Sequence, residues 1–235
     1  MTILLAIETS TEIASLALLG KNGLICRELV GVQTHSQGIL PAIQELLNTQ
    51  ALTLKDCDAI AFGCGPGAFT GVRTACGIVQ GLAFGADLPI LPVVSLHAMA
   101  EAARETQTEP QAEADFVCVL DARMSEVYWA HYRYAGSGWL QITEPALATA
   151  EQAFAYAAAA AYPLVLGNGV KPPVDELNAA LMPVLIHKMP HAGQVAQLAA
   201  LDFSLQKQMA AGMAQPLYLR NKIALTTLER MQAKA

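Results

Sequence analysis

Phe62-Gly63-Cys64-Gly65-Pro66-Gly67-Ala68-Phe69-Thr70-Gly71-Val72-Arg73 decides how this chain folds, because it joins an apolar strand to a long helical pattern. Upstream, Ala59-Ile60-Ala61-Phe62 is the continuous apolar run expected of a strand covered on both faces. Downstream, helical periodicity runs from Thr70 to about Gly85. Four glycines within nine residues permit positive φ and close backbone approach, and Pro66 stiffens one corner. Thr70 stands where a helix N-cap is wanted. Such a turn aims N–H groups outward at the positive end of a helix dipole, which suits phosphate or another anion. A tight packing turn that binds nothing accounts for the glycines equally well. Neither the dinucleotide spacing nor the Lys-Ser/Thr of a Walker loop is met.

On the N-terminal side, Ile3–Ile7 reads as a covered strand, Ile13–Leu19 as a second, and Lys21-Asn22-Gly23 as a hairpin turn into a third, Leu24–Val30. A helix over Ser36–Asn48 carries Ile39, Leu40, Ile43, Leu46 and Leu47 on one stripe, with Pro41 either delaying its start or bending it. After the glycine segment come a strand over Leu88–Val94 and a helix capped by Ser95. The order β-β-β-α-β-α-β-α predicts an α/β domain with a mixed five-stranded sheet and helices on both faces. The polar stretch Thr106–Ala114, with Pro110, marks a boundary between an N-terminal lobe over 1–106 and a second lobe over 107–235.

In the second lobe, Phe116–Leu120, Glu126–Tyr134, Trp139–Ile142 and Leu164–Leu166 read as strands. Thr149 with Gln152 forms a capping box for a helix through Ala157–Ala161. A last helix near 192–209 is expected to pack back on the first lobe. No internal repeat stands out.

Hydrophobic residues make up 54% of the 235, charged residues only 14%, so part of the surface is expected to be engaged with a partner. The formal net charge of −6 argues against this chain alone holding a polyanion such as tRNA. Five cysteines with no CxxC pair read as reduced thiols of a cytoplasmic protein. The apolar N-terminus lacks a basic region and is interrupted by Glu8, and no apolar stretch reaches the ~20 residues that span a bilayer.

Candidate chemistry is sparse. Glu8-Thr9-Ser10-Thr11 ends the first strand, where a carboxylate and hydroxyls can hold Mg²⁺ through water and donate to a phosphate; a hairpin corner satisfying its own backbone is the alternative. With Gly65 and Gly67, residues Glu8, Thr9 and Ser10 form the candidate nucleotide or phosphate site. His187 and His191 have HxxxH spacing, but Pro190 removes the helical face a metal pair needs. No G-x-S-x-G is present, and Cys64 lacks a base, so no catalytic residue and no metal site is assigned. Asp121-Ala122-Arg123 reads as a local ion pair.

Gly77, Gly81 and Gly85 share one face of the second helix, each costing roughly 1 kcal/mol relative to Ala. That outlay implies close packing, by the sheet or by another helix. With Val72, Cys76, Val79 and Ala83 beside the stripe, and Ile39, Leu40 and Ile43 on the first helix, a helix-mediated protein interface is expected. On this reading Val79→Glu should weaken pairing and leave the monomer folded.

Several segments together resemble the TsaB (YeaZ) family: Ile7–Thr11, His35-Ser36 with Leu40-Pro41, Phe62–Arg73, Asp121–Met124 with Glu126-Val127-Tyr128, and Pro216–Arg220. The match runs in order across nearly the whole chain. The resemblance implies a two-lobed actin/hexokinase/Hsp70-like (ASKHA) fold. It also implies a non-catalytic subunit that pairs with the related TsaD and works with the ATPase TsaE. That complex transfers threonylcarbamoyl to N6 of adenosine 37 in tRNAs reading codons that begin with A. No intrinsic cofactor is implied; ATP or ADP with Mg²⁺, and tRNA, are met only through the complex.

The resemblance places the partner interface on the first two helices, here His35, Ile39, Leu40, Ile43, Val72, Cys76, Gly77, Val79, Gly81 and Ala83. Homodimers through the same helices are expected when the partner is absent. Two departures stand out. The family's first strand usually ends in Asp, where this chain has the longer Glu8. Where the catalytic relative carries an HxxxH pair, this chain has the single His97. The alternative is an independent nucleotide-binding phosphotransferase of the actin-like superfamily, using Glu8 and the glycine loop.

Overall fold

The computed structural model describes residues 2–29, 35–106, 113–136, 138–160, 164–172 and 183–220, with the backbone alone at 35, 36 and 164. Strands β1 (Leu4–Glu8), β2 (Ala14–Gly20) and β3 (Gly23–Leu29) precede α1 (His35–Thr49), β4 (Ala59–Gly65), α2 (Phe69–Ala86), β5 (Ile90–Val94) and α3 (Ser95–Glu105). There follow β6 (Glu113–Arg123), β7 (Glu126–Ala135), β8 (Trp139–Thr149), α4 (Ala150–Ala159), β9 (Leu164–Asn168), β10 (Val184–His187) and α5 (Ala192–Ser204).

The strands form two five-stranded sheets, ordered β3-β2-β1-β4-β5 and β8-β7-β6-β9-β10 when read in the same sense. In each, an antiparallel three-strand meander is extended by two parallel strands. The chain therefore lays down one mixed sheet twice, the two-lobed actin-like arrangement, without any visible repeat of sequence.

Side-chain alternation divides each sheet between two helical layers. Leu5, Ile7, Leu16, Ile60 and Phe62 face α1 and α2, against Ile39, Ile43, Leu46, Leu47, Val79 and Ala83. The opposite face is small: Ala6, Ala17, Ala59 and Ala61 meet Ala192, Val195, Ala196 and Ala199 of α5. Alanine against alanine lets α5 lie close to the first sheet, and its first N–H groups are met by Ser15 Oγ on Ala192 (2.9 Å) and by its capping residue, His191 Nδ1 on Gly193 (3.1 Å). In the second sheet, Phe116, Cys118 and Leu120 face α3, while Val117 and Val119 face α4.

Between the lobes, His97 of α3 stacks on Tyr132 at 4.6 Å and meets the edge of Trp139 at 5.0 Å. Burial pushes the imidazole down to about 4, so it sits there neutral. Beside it the buried Glu101 accepts from Trp139 Nε1 at 3.0 Å and from Arg104 Nε at 2.8 Å.

Several expectations need correction. β4 runs on to Gly65, so the turn is only Pro66–Ala68, and Ala68, not Thr70, precedes α2. Ser95 is the first residue of α3 rather than its cap, because its hydroxyl is bonded to Glu8. α5 stops at Ser204, five residues short of Met209, which instead bridges to Ile90 at the edge of the first sheet. β8 extends to Thr149, and the short strand β10 was not read at all. Most of the Thr106–Ala114 boundary, Val30 and Ala161 lie outside the described residues. The Thr149–Gln152 capping box and the Asp121–Arg123 ion pair (3.1 Å) are present.

Val79 is fully buried against the first sheet, so the expectation that Val79→Glu spares the monomer is also overturned. A carboxylate there would enter a cluster of apolar side chains, a cost of several kcal/mol. Loss of the cooperative thermal transition in circular dichroism is the expected result; an unchanged melt would contradict this core.

Candidate functional site

The exit of β1 is pressed into the glycine turn. A Cβ on Gly63 would overlap the Glu8 carboxylate, one on Gly67 would overlap Ser10, and one on Gly71 would overlap the Thr9 carbonyl. Three glycines, spaced four apart, thus accept three consecutive residues. Hydrogen bonds lock the arrangement: Ala68 N donates to Ser10 O at 2.7 Å, and Thr9 Oγ1 donates to Gly71 O at 2.7 Å. The first free N–H at the start of α2 is spent on the chain's own carbonyl.

Glu8 is fully buried, with Oε1 accepting from Ser10 N at 2.5 Å and Oε2 from Ser95 Oγ at 2.9 Å. Burial pushes its carboxyl above the usual range, and these bonds pull only partly against that. Gly63 leaves the room that the carboxylate fills. Burial, with the nearby Glu8 adding to it, pushes the Cys64 thiol up to about 12, which removes it as a nucleophile.

Above this corner lies a cleft of about 830 Å³ between the lobes. Its walls come from the ends of four parallel-paired strands: Ser10–Glu12 after β1, Gly67–Thr70 after β4, Leu120–Met124 at the end of β6, and Asn168-Gly169 at the end of β9. Strand ends of this kind are where open α/β sheets bind ligands. Leu217–Arg220 completes the lining. The acidic groups in it are engaged: Glu12 accepts from Asn168 Nδ2 at 3.0 Å, and Asp121 pairs with Arg123.

Of the candidate phosphate residues, Ser10 and Gly67 line the cleft; Glu8, Thr9 and Gly65 lie beneath it. His187 ends β10, bonded to Asn168 (2.9 Å), while His191 caps α5, so the HxxxH pair does not share a helix. Among the described residues no group of three His, Cys, Asp or Glu is placed to hold a metal ion.

A family model described as "TsaD: tRNA N6-adenosine threonylcarbamoyltransferase" matches residues 28–227. A Haemophilus influenzae protein named tRNA threonylcarbamoyladenosine biosynthesis protein TsaB is 37% identical over 229 residues, 94% of each chain. The Escherichia coli protein of that name is 34% identical over 225 residues, covering 94% of this chain and 96% of its own. The chain belongs to the TsaB family. Among solved structures, YeaZ from Pseudomonas aeruginosa superposes with a TM-score of 0.73 at 33% identity, over 93% of this chain and 100% of that one. Another Pseudomonas aeruginosa protein, described as similar to peptidase YEAZ, reaches a TM-score of 0.81 at 36% identity, over 94% and 100%.

In this TsaB-family chain the named interface residues separate into two groups. Ile39, Ile43, Cys76, Val79 and Ala83 are buried in the core of the first lobe, and Val72 is buried beside the cleft, so all six are corrected to interior positions. Leu40, Gly77 and Gly81 are exposed. The side chain of His35 lies outside the described residues. The glycine stripe was expected to be closely packed by the sheet or by another helix, yet among the described residues a Cβ on Gly77, Gly81 or Gly85 would meet nothing within 4 Å. Reading the sequence missed Phe84, 85% exposed one turn beyond Gly81, and Arg73 on the same face. Phe84 was legible as the apolar side chain that falls among the glycines.

The two sets of glycines predict opposite outcomes. Gly71→Ala should destabilise by about 1–3 kcal/mol, since the backbone it strikes cannot swing aside. Gly77→Ala should stabilise the monomer by up to ~1 kcal/mol. Urea titrations of both variants check this, and equal effects would contradict it.

Glu8 predicts a pH dependence. Its folded-state pKa is raised, so its contribution is fully present below the ordinary value of 4.5 and is lost as pH rises through the raised value. Denaturant titrations from mildly acidic to neutral pH should show stability falling with pH in the native chain, and a flatter profile in Glu8→Gln.

Proposed function

We propose that this chain is the non-catalytic partner of a TsaD subunit, docking through the outward face of α2 and working with TsaE. The complex so formed would transfer threonylcarbamoyl to N6 of adenosine 37 in tRNAs reading ANN codons. One observation carries this reading. Gly77, Gly81 and Gly85, on the face that also bears Arg73 and Phe84, cost the helix roughly 3 kcal/mol, and among the described residues nothing packs into the space they leave. Small residues beside one bulky apolar side chain let a second helix approach closely. Leu40 is likewise exposed, on α1, which packs beside α2. Without TsaD, two copies would cover these faces with each other.

The same reading assigns no resident cofactor to this chain. The glycine turn is filled by Ser10 and Thr9, which favours a packing role over a phosphate cradle. ATP or ADP with Mg²⁺ is then met through the complex, as is tRNA, given the net charge of −6. A cytoplasmic location accords with five free cysteines, of which four are buried, and among the described residues no helix is long and apolar enough to cross a membrane.

Transfer assays on the purified chain alone should give no threonylcarbamoyl-tRNA, with activity appearing on addition of TsaD and TsaE. Phe84→Glu should weaken docking to TsaD by about tenfold or more, the scale of an interface hot spot, with the melting curve little changed. Robust transfer by the isolated chain would overturn the reading, and so would undiminished docking by the variant.

A further inference from the structure

After α5 the chain turns back along α2. Met209 and Ile90 exchange backbone hydrogen bonds of 2.9 Å, Gln80 Nε2 donates to Ala214 O at 2.9 Å, and Leu217 N donates to Cys64 O at 2.7 Å. It then passes from the first lobe to the second. Arg220 Nη2 pairs with Glu126 Oε2 at 2.6 Å and donates to Ala122 O at 3.1 Å, while Nη1 reaches Met124 Sδ at 3.4 Å. The hairpin it grips is strained, with φ of 64°, 56° and 59° at Arg123, Met124 and Ser125. Such a conformation persists only where its surroundings hold it, and Arg220 supplies part of that hold.

The same segment also reaches the outward face of α2. Arg73 Nε donates to Tyr218 Oη at 2.7 Å, and the Arg73 guanidinium lies 3.6 Å from the centre of the Phe69 ring. Arg73 stands one turn before Gly77 on the face that Gly81 and Phe84 continue. Four consecutive residues, Leu217 to Arg220, thus line the cleft, tie the two lobes together and position a side chain on the docking face.

We propose that Leu217–Arg220 is a strap that couples the interlobe cleft to the docking face of α2: docking favours the seated strap, and release of the strap opens the cleft and unseats Arg73. This rests on the reading of α2 as the docking surface. Coupling of this kind is reciprocal, so a partner that covers α2 holds the cleft shut, and anything that enlarges the cleft loosens the partner.

The test uses the full-length chain with the TsaD subunit. Among the described residues the Arg220 guanidinium bonds to the β6–β7 hairpin and not to α2, so its effect on docking is expected to travel along the strap. Calorimetry should show Arg220→Ala docking about 5-fold more weakly, with Arg220→Lys between the two. In the native chain, docking should slow hydrogen exchange at the Leu217 amide by a comparable factor, and in Arg220→Ala it should not. Unchanged affinity and unchanged Leu217 exchange, with docking still lost in Phe84→Glu, would overturn the strap and leave the docking face standing. Undiminished docking by Phe84→Glu would remove the docking face and the strap's role with it. If Arg220→Ala does not fold, Tyr218→Phe deletes only the hydroxyl that holds Arg73, and its affinity and exchange are read in the same way.

Discussion

Glu8, Thr9 and Ser10 leave the end of a central strand with a carboxylate, a hydroxyl and bare carbonyls to satisfy, and they do so inside the protein rather than at its surface. Three missing side chains make this feasible, at Gly63, Gly67 and Gly71. The polar exit of β1 can then sit against β4 and the start of α2, with Ser10 O and Gly71 O each taking a donor. This contact sets both the height of α2 above the sheet and its rotation about its own axis. Once Gly71 is held on Thr9, helical geometry sends Val72, Ala75, Cys76, Val79 and Ala83 down to the core and turns Arg73, Gly77, Gly81 and Phe84 away. The open face of α2 follows from how the opposite side is pinned.

The two lobes repeat one topology but are joined by unlike means. Near the first sheet the joint is a layer of small side chains, alanines of β1, β2 and β4 against alanines of α5. Close approach there is bought by volume alone, with dispersion spread over many weak contacts. Near the second sheet it is aromatic, with His97, Tyr132 and Trp139 in mutual contact and Glu101 satisfied by Arg104 and the Trp139 indole. The cleft opens at the strand ends, where the Leu217–Arg220 segment and the Glu12–Asn168 contact join its walls.

Most elements could be read from pattern: the apolar run of β1, the hairpin between β2 and β3, the stripe of α1, the capping box of α4. Misreadings cluster where a polar side chain had two potential partners. Thr70 and Ser95 both look like helix caps, but Ser95 serves Glu8, eighty-seven residues away in sequence, and no local rule weighs that bond. Leu201 and Leu205 continue an apolar period, yet both are exposed, and α5 ends at Ser204 before Met209 pairs with Ile90. Within the cleft, Ser10 and Gly67 were named from the sequence as site candidates, Asp121–Arg123 was read as an ion pair, and Leu217–Arg220 was recognised only as a segment shared with a family.

Fold class, the strand-turn-helix at Phe62–Arg73, the absence of a nucleophile motif and the presence of a costly glycine face were all present in the order of residues, because each depends on local spacing and composition. Which side of α2 is buried was not. A periodic pattern says that Val79 and Gly81 lie on neighbouring faces, but only the seating of Gly71 against Thr9 decides which of them meets the sheet. Likewise, two glycine sets with the same i, i+4 spacing have opposite surroundings, one filled by β1 and the other empty. Long-range contact made that difference, since a glycine is defined physically by what occupies the space its side chain would have taken.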